Sequence, residues 1–462
     1  MNKTAFRIIT GMIYLIFSYV YPTEVNSATD NTSPSSLHIE SDYPILFAPY
    51  GPPEGTHPVA APAHLFVQQA APLLKNLGLE IFLQAKDIKS TSRPYLKPSS
   101  LLKGSTFPSV YEAVAAGRDS GGLDASITIP IQSGHDYSGI YIGGLPFGLK
   151  PLAFLNYMYN AGGLSLQQEI YDQQYQNNIV VLPVALTAEP AAGYFPSAIP
   201  DPKQLNISPS SALRQLCNKP WVVRWQKIAI GGWQKACEAV GVKTTNIGQN
   251  TKCNDAQKPC PSSANPSRVK VKNLTFGGFV PGVAPHKMLL NGNIDGYELN
   301  LPATDVHFIK LVSGQKHLEN KNADLTKAMS QARYLYRGAW QQRFTYIELI
   351  INRDKWQSLT PQQRQLIQVS AKASVLNTLT VSMIQQNEAL KILQNNGAVI
   401  KDWPPEVLAL IKKHTALYLD AHAEALYKEG KGNFKKVYKH MKAFQETSKE
   451  YSLFSEMNIA DY

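Results

Sequence analysis

The most concentrated reactive groups in this 462-residue chain are four cysteines, all between Cys217 and Cys260. An even, clustered set in an exported chain reads as two disulfides. Cys253 and Cys260 flank a polar, Pro-ended loop and can close a small ring, which leaves Cys217 for Cys237; the other two pairings stay open. Zinc is the competing chemistry, but no C-x-x-C unit is present. His135 and His307 stand alone, and lone histidines are more often surface or core residues than catalysts. There is no H-E-x-x-H, no G-x-S-x-G and no G-x-x-x-x-G-K. The Gly-rich piece Gly143–Gly148 places Pro146 where a phosphate cradle needs a backbone N–H. Spatial triads leave no such trace, yet the balance favours a binding protein without cofactor or metal over an enzyme.

Charge narrows the partner. The formal net charge is +11, which suits an anionic ligand or surface. The Lys and Arg residues are scattered, and no RNP-like, zinc-finger or arginine-rich segment is present, so nucleic acid is not the expected partner. Lys3 and Arg7, the apolar run Ile8–Tyr21 and the small residues Val25-Asn26-Ser27-Ala28 form the n, h and c regions of a signal peptide over 1–28. A polar leader over 29–37 follows, and no later stretch is long and apolar enough to span a bilayer.

The elements that must position any site read as α/β. Strand-like runs are Leu37–Phe47, Leu79–Leu83, Ile127–Ile131, Ile179–Leu182 and Trp221–Arg224. Helical runs are Ala63–Lys75, Val110–Ala116 and Leu152–Asn160. Their alternation implies parallel sheets covered on both faces. Beyond residue 310 the chain turns helical. Thr360-Pro361 opens a helix along which Leu366, Ala373, Leu376, Leu379, Met383 and Leu390 recur, until Asn395-Asn396-Gly397 stops it. At ~1.5 Å per residue it is about 50 Å long, enough to brace two domains. Pro404-Pro405-Glu406 opens another.

Several motifs, in order, carry a resemblance: Gly144-Leu-Pro-Phe-Gly148; Gly162-Gly163 followed by Glu169-Ile-Tyr171; Gly193-Tyr194-Phe195; Gly292-Asn-Ile-Asp295-Gly-Tyr-Glu298 running on to Pro302 and Asp305; and Gly338-Ala-Trp340, Glu348-Leu, Asn352, Trp356 and Leu359. Over roughly residues 38–450 this series resembles the solute-binding proteins of tripartite ATP-independent periplasmic (TRAP) transporters. The resemblance implies a two-domain periplasmic-binding-protein (Venus-flytrap) fold of the α/β class, with a long bracing helix and a helical C-terminus. Its approximate divisions are domain I over 38–178 and 300–335, domain II over 179–299 and 336–400, and C-terminal helices over 401–462. It implies a periplasmic receptor that closes on a small, carboxylate-containing anionic solute and delivers it to membrane permease subunits.

The resemblance also implies a site. The family's hallmark is an arginine at the end of a strand, whose planar fork pairs with a substrate carboxylate. Arg224, after Trp221-Val-Val, matches it, with Lys227 as the neighbouring alternative. Glu298, Trp340, Trp225, Tyr194, Phe147 and Tyr137 are the further ligand-binding candidates. One branch of the family holds a metal with a glutamine before its Gly-Trp-Phe and a carboxylate after the counterpart of Trp340. Pro190 and Gln341 stand at those places here, and Leu299 replaces a tryptophan. These departures argue against a metal and against a simple 2-oxo acid as ligand. The Cys-containing insertion over 243–270 is also unusual for the family, with the cleft rim or a partner as its possible neighbours. Two rival readings remain: an exported sensory or interaction protein on the same fold, and a secreted hydrolase.

Overall fold

The structure is a computed structural model that describes residues 35–41, 62–85, 109–130, 142–219, 221–223, 227–243, 295–298, 301–306, 326 and 329–457. The proposed signal peptide lies outside them, as do His135, His307, Cys253, Cys260 and nearly all of the 243–270 insertion.

Among the described residues, ten strands form two five-stranded sheets. The first contains β1 (Ser35–Ser41), β2 (Leu79–Ala85), β3 (Ala125–Thr128), β4 (Ile179–Leu186) and β9 (Tyr346–Asn352), in the order β2-β1-β3-β9-β4. The second contains β5 (Gly193–Phe195), β6 (Trp221–Val223), β7 (Gly296–Glu298), β8 (Tyr334–Tyr336) and β10 (Val399–Lys401), in the order β10-β8-β5-β7-β6. Strand β1 begins inside the stretch read as a leader.

The expectation of parallel sheets needs correction, because each sheet holds a reversed strand. β9 runs antiparallel to both β3 and β4, and β5 runs antiparallel to both β7 and β8. The reason is connectivity. The chain leaves β4 for β5 through residues 187–192 and returns from β8 to β9 through 337–345. A strand that arrives directly from the other sheet enters at the end where its neighbours finish, so it must run against them. Such mixed sheets are common in large α/β folds.

Burial follows the pleat. Along β9, Tyr346 and Ile350 join one apolar cluster while Ile347, Leu349 and Ile351 join another. In the second sheet Tyr194 and Leu335 face one cluster, and Phe195 and Tyr336 the opposite one. This two-residue alternation is what a sheet covered on both faces requires.

The covering helices are α1 (Pro62–Lys75), α2 (Val110–Ala116), α3 (Pro151–Asn160), α4 (Gly163–Gln174), α5 (Pro202–Leu205), α6 (Pro209–Cys217), α7 (Lys227–Ala239), α8 (Arg353–Ser358), α9 (Pro361–Asn395), α10 (Pro405–Lys428) and α11 (Asn433–Met457). Local sequence sets their ends. The Ser109 hydroxyl caps α2 by accepting from the Glu112 N–H. A capping box opens α9: the Gln363 N–H donates to Thr360 Oγ1, and the Thr360 N–H donates to Gln363 Oε1. Among the described residues no helix is long and apolar enough to cross a membrane.

The 35-residue α9 has the predicted limits and part of the predicted apolar face: Leu379 is buried, and Leu366 and Leu390 pack against apolar clusters. Leu376 and Met383 are exposed, whereas Ser370, Ser374, Thr378, Ser382 and Gln386 are buried. These five recur every fourth residue, so they form one stripe along the helix. The Leu186 N–H donates to Thr378 Oγ1 at 3.1 Å, the Ala188 N–H to Ser382 Oγ at 3.0 Å, and the Ala303 N–H to Gln386 Oε1 at 2.9 Å. Three of the five, Thr378, Ser382 and Gln386, satisfy backbone donors that burial would otherwise leave unpaired.

Candidate functional site

In open α/β sheets, ligands bind beyond the carboxyl ends of the strands, where the chain changes direction. In the first sheet, β1, β3 and β4 are parallel to one another, and β4 ends at Leu186, where the first crossover begins. In the second sheet, β6, β7, β8 and β10 end at Val223, Glu298, Tyr336 and Lys401, and β5 starts there at Gly193. The carboxyl ends of both sheets therefore lie at the level of the two crossovers, which is the candidate site.

The crossovers are tied to each other. The Thr187 N–H donates to the Thr345 carbonyl at 3.0 Å, and the Thr345 N–H returns to Thr187 Oγ1 at 2.8 Å. Arg343 pairs with Glu189 at 3.4 Å, and Gln341 Nε2 donates to the Ala191 carbonyl at 3.3 Å. At their far end the Ala192 N–H donates to the Tyr336 carbonyl at 2.8 Å.

The predicted residues fall on this level to different degrees. Glu298 ends β7, is buried, and sits in register with Val223 of the parallel strand β6. Arg224 follows Val223 in the sequence but lies outside the described residues, as do Trp225 and Tyr137. Tyr194 is fully buried and stacks on Tyr297, its register partner, with ring centroids 4.7 Å apart and planes within 6°. Burial raises the Tyr297 hydroxyl well above its ordinary value, and the nearby Asp305 carboxylate adds to the shift.

Trp340 is the middle of a three-ring stack, 5.3 Å from Phe147 and 6.1 Å from Trp233. Phe147 has φ +54°, a conformation that a bulky side chain rarely adopts. Three contacts hold it there: the ring stack, its N–H on the Trp340 carbonyl at 2.6 Å, and its carbonyl accepting from Gln445 Nε2 at 3.2 Å. The Gly-Leu-Pro-Phe-Gly motif thus forms a joint that pins one loop to the second crossover and to α11. Gly148 belongs to the same joint, since a Cβ there would lie 2.7 Å from the Leu145 carbonyl oxygen.

The sequence reading missed a buried carboxyl that, among the described residues, gathers three side-chain hydrogen bonds. Glu348, mid-strand in β9, is wholly buried and accepts from Tyr111 (2.6 Å), Tyr171 (2.8 Å) and Gln167 Nε2 (2.5 Å). Tyr346 completes the network through Gln167 Oε1 at 3.0 Å. Burial pushes the Glu348 carboxyl up to about 7, against the three hydrogen bonds that pull it down. Every partner belongs to α2, α4 or β9, so the network is a fastener between that sheet and its helices. The one available signal was Tyr171 in the Glu-x-Tyr motif, with Glu348 quoted separately.

The disulfide expectation is met at Cys217–Cys237, which joins the end of α6 to α7. Among the described residues no three His, Cys, Asp or Glu side chains gather as metal ligands. At the place where a carboxylate was sought, Gln341 presents a neutral amide already bonded to a backbone carbonyl. A pocket of about 580 Å³ lies elsewhere, between α4 and α11, lined by Gly162, Ser165, Glu169, Lys436, Lys439 and His440 among others, and it contains none of the predicted residues.

No protein-family model matches the chain, and no curated protein sequence matches it. Solved structures do. One is a TRAP transporter solute-binding protein from Bordetella bronchiseptica RB50 with calcium and picolinate bound: TM-score 0.59, 17% identity, covering 93% of this chain and 97% of that one. A second is a TRAP periplasmic solute-binding protein from Pseudoalteromonas atlantica T6c with sodium and pyruvate: TM-score 0.59, 16% identity, covering 92% and 98%. A third, from Colwellia psychrerythraea with calcium and pyruvate, has TM-score 0.59 and 16% identity and covers 92% and 99%. Over nearly its whole length, this chain has the two-domain α/β fold of the TRAP-transporter solute-binding proteins.

Proposed function

We propose that this protein is the extracytoplasmic receptor of a TRAP-type secondary transporter, binding a small carboxylate solute at the crossover level and handing it to membrane permease subunits. The carrying observation is the whole-length likeness to receptors crystallised with picolinate or pyruvate. In support, the two halves are joined by paired crossovers, the arrangement that lets a cleft close over a ligand. On this reading the protein is exported to the periplasm, is not an enzyme, and uses Arg224 to pair with the solute carboxylate beside the end of β7. Glu298, Tyr194, Phe147, Trp340, Trp225 and Tyr137 complete the proposed site.

The solved receptors carry sodium or calcium. Pro190 offers no side-chain donor, and an amide at Gln341 is a poorer partner for a hard cation than a carboxylate. We therefore propose binding that survives chelation. A thermal-shift screen with picolinate, pyruvate and a wider panel of organic acids tests the receptor reading, since a solute that binds only the folded state raises the melting temperature. Arg224→Ala should weaken the binding of a hit by ~2–5 kcal/mol, and Arg224→Lys should also weaken it by losing the fork. No response to any acid overturns the receptor reading. A response that chelation abolishes and calcium or sodium restores overturns the metal-free site.

A further inference from the structure

Two long helices, not one, pass from the first sheet's cores to the second's. On α9, Ile367, Ala371, Val375 and Leu379 pack in clusters built on β4 and β9, whereas Ala389 and Leu393 pack with Tyr194, Tyr297 and Leu335. Its hydrogen bonds change sides as sharply. Thr378 and Ser382 hold the Leu186 and Ala188 N–H groups, at the end of β4 and the start of the first crossover. Gln386, one turn on, holds the Ala303 N–H, which belongs with the second sheet's cluster.

α10 does the same in the opposite direction. Val407 and Ile411 pack with Phe195 and Tyr336 of the second sheet. Leu419, Ala423 and Leu426 pack with Val181, Tyr346 and Ile350 of the first. Between these groups, Thr415 and Tyr418 lie directly against Gly232 and Gly231 of α7. A Cβ on either glycine would come within 2.7 Å of Thr415 or 2.1 Å of Tyr418.

An unbroken helix is a stiff rod, and neither α9 nor α10 has a glycine or an internal proline beyond its first turn. If the two halves rotate against each other, each rod must flex where its attachments change sides. We infer that the opening axis crosses α9 between Ser382 and Gln386 and crosses α10 between Ile411 and Leu419. On this inference α10 is a second interdomain strut, and the Gly231-Gly232 seat is the bearing on which it turns. The two glycines let the Thr415 and Tyr418 side chains lie directly on the α7 backbone, so the helices approach closely at that point.

The inference rests on the proposed receptor's closing motion, but its test uses no solute, so either can fail alone. Ile384 and Leu417 lie inside the two windows and are 57% and 53% exposed; Val369 and Leu376, both 55% exposed, and the exposed Ala421 lie outside them. Glycine costs helix propensity at all five, most at Ala421 and least at Val369, so the outside variants bracket the window variants, and none of the five removes much packing. Spin labels on Gln173→Cys in α4 and Ser210→Cys in α6 report the distance between the halves, with the unsubstituted protein, carrying only its four native cysteines, labelled in parallel as a blank. Ile384→Gly and Leu417→Gly should each shift or broaden the interhalf distance distribution by several ångströms. Val369→Gly, Leu376→Gly and Ala421→Gly should leave it unchanged while lowering the melting temperature by amounts that bracket those of the window variants. Hydrogen exchange on the unsubstituted protein supplies a second reading, should a variant fail to fold. Amides at 383–387 and 412–418 should exchange faster than those one turn to either side. A parental distribution in both window variants, an equal change in the outside variants, or uniform protection along both helices would overturn the inference.

Discussion

On the sheet of β4 and β9, the contact that fixes two helices is a hydrogen-bonded carboxylate. Glu348 draws Tyr111 from α2 and both Gln167 and Tyr171 from α4 onto one strand position. On the sheet of β5 and β7 the corresponding work is done by rings: Tyr194 on Tyr297, Trp340 between Phe147 and Trp233, and Tyr336 edge-on to Phe195 and Trp403. A disulfide, Cys217–Cys237, is added on that side. Directional bonds to a charge specify one register and respond to pH. Stacked rings bury more apolar area and tolerate small slides. The half that carries the proposed arginine is thus held by rings and a covalent bond, whereas the other adds a titratable centre to its own ring contacts, such as Phe154 on Phe344 and Tyr111 on Tyr175.

The largest expected effect lies in the ring-held half. Trp340→Ala removes the middle of a three-ring stack from a fully buried position. It should cost about 3–5 kcal/mol, as for other buried aromatic truncations. Urea unfolding measures it. Trp340→Phe should recover much of the loss. A cost below ~1 kcal/mol would mean that the stack is not what holds this half together.

pH separates the two halves next. The Glu348 carboxyl in the folded protein sits near 7, above its ordinary 4.5. The folded state therefore binds more protons than the unfolded state between those values, and its stability falls as pH rises from about 4.5 to about 7, then levels. The full drop is on the order of 3 kcal/mol. Glu348→Gln should abolish this slope. An unchanged slope in that variant would assign the pH dependence to another group. Redox does the converse. Cys217 and Cys237 are 20 residues apart, and opening a loop of that size costs ~3 kcal/mol in the chain-entropy account. Reduction should lower the melting temperature equally at pH 5 and pH 8, because neither cysteine contacts the Glu348 network.

Much of this was readable in advance, and the failures have physical causes. The limits of α9 followed from Thr360-Pro361 and Asn396-Gly397, since caps are local chemistry. Its buried face followed only in part, because an apolar row of Ile367, Ala371, Val375 and Leu379 runs beside a polar row in which Thr378, Ser382 and Gln386 are selected by backbone N–H groups. Leu376 and Met383 therefore point outward although their spacing suggested a core. The reversal of β5 and β9 was equally invisible: a strand's direction depends on which sheet the chain has just left. The ordered motifs located the crossover level, with Glu298, Tyr194, Phe147 and Trp340 on or beside it. They could not separate a residue facing a ligand from one in a stack, because both tasks favour aromatics. Glu348 was visible only as a letter in a motif. The tyrosines and glutamine that give it a role come from positions 111, 167 and 171, distant in sequence and joined only by the fold.

The smallest expected effect sharpens the account of that network. Tyr111→Phe deletes one hydroxyl from the Glu348 cluster and leaves the ring, which also stacks on Tyr175 at 5.6 Å. Packing is preserved, so the loss reports the hydrogen bond alone. A bond to a neutral carboxylic acid contributes about 1 kcal/mol, whereas one to a carboxylate contributes roughly 2 kcal/mol. Below pH 7 the Glu348 side chain is mostly protonated, and above it mostly ionised. The substitution should therefore cost about 1 kcal/mol at pH 5 and about twice that at pH 8. Losing a donor that favours the charged form also pushes the folded carboxyl higher still, so the fall in stability with pH should steepen and extend to higher pH. Denaturant melts of the wild type and Tyr111→Phe at both pH values measure the difference. An equal cost at pH 5 and pH 8 would show that Tyr111 bonds a group whose charge does not change, and would remove the carboxylate from the centre of this half.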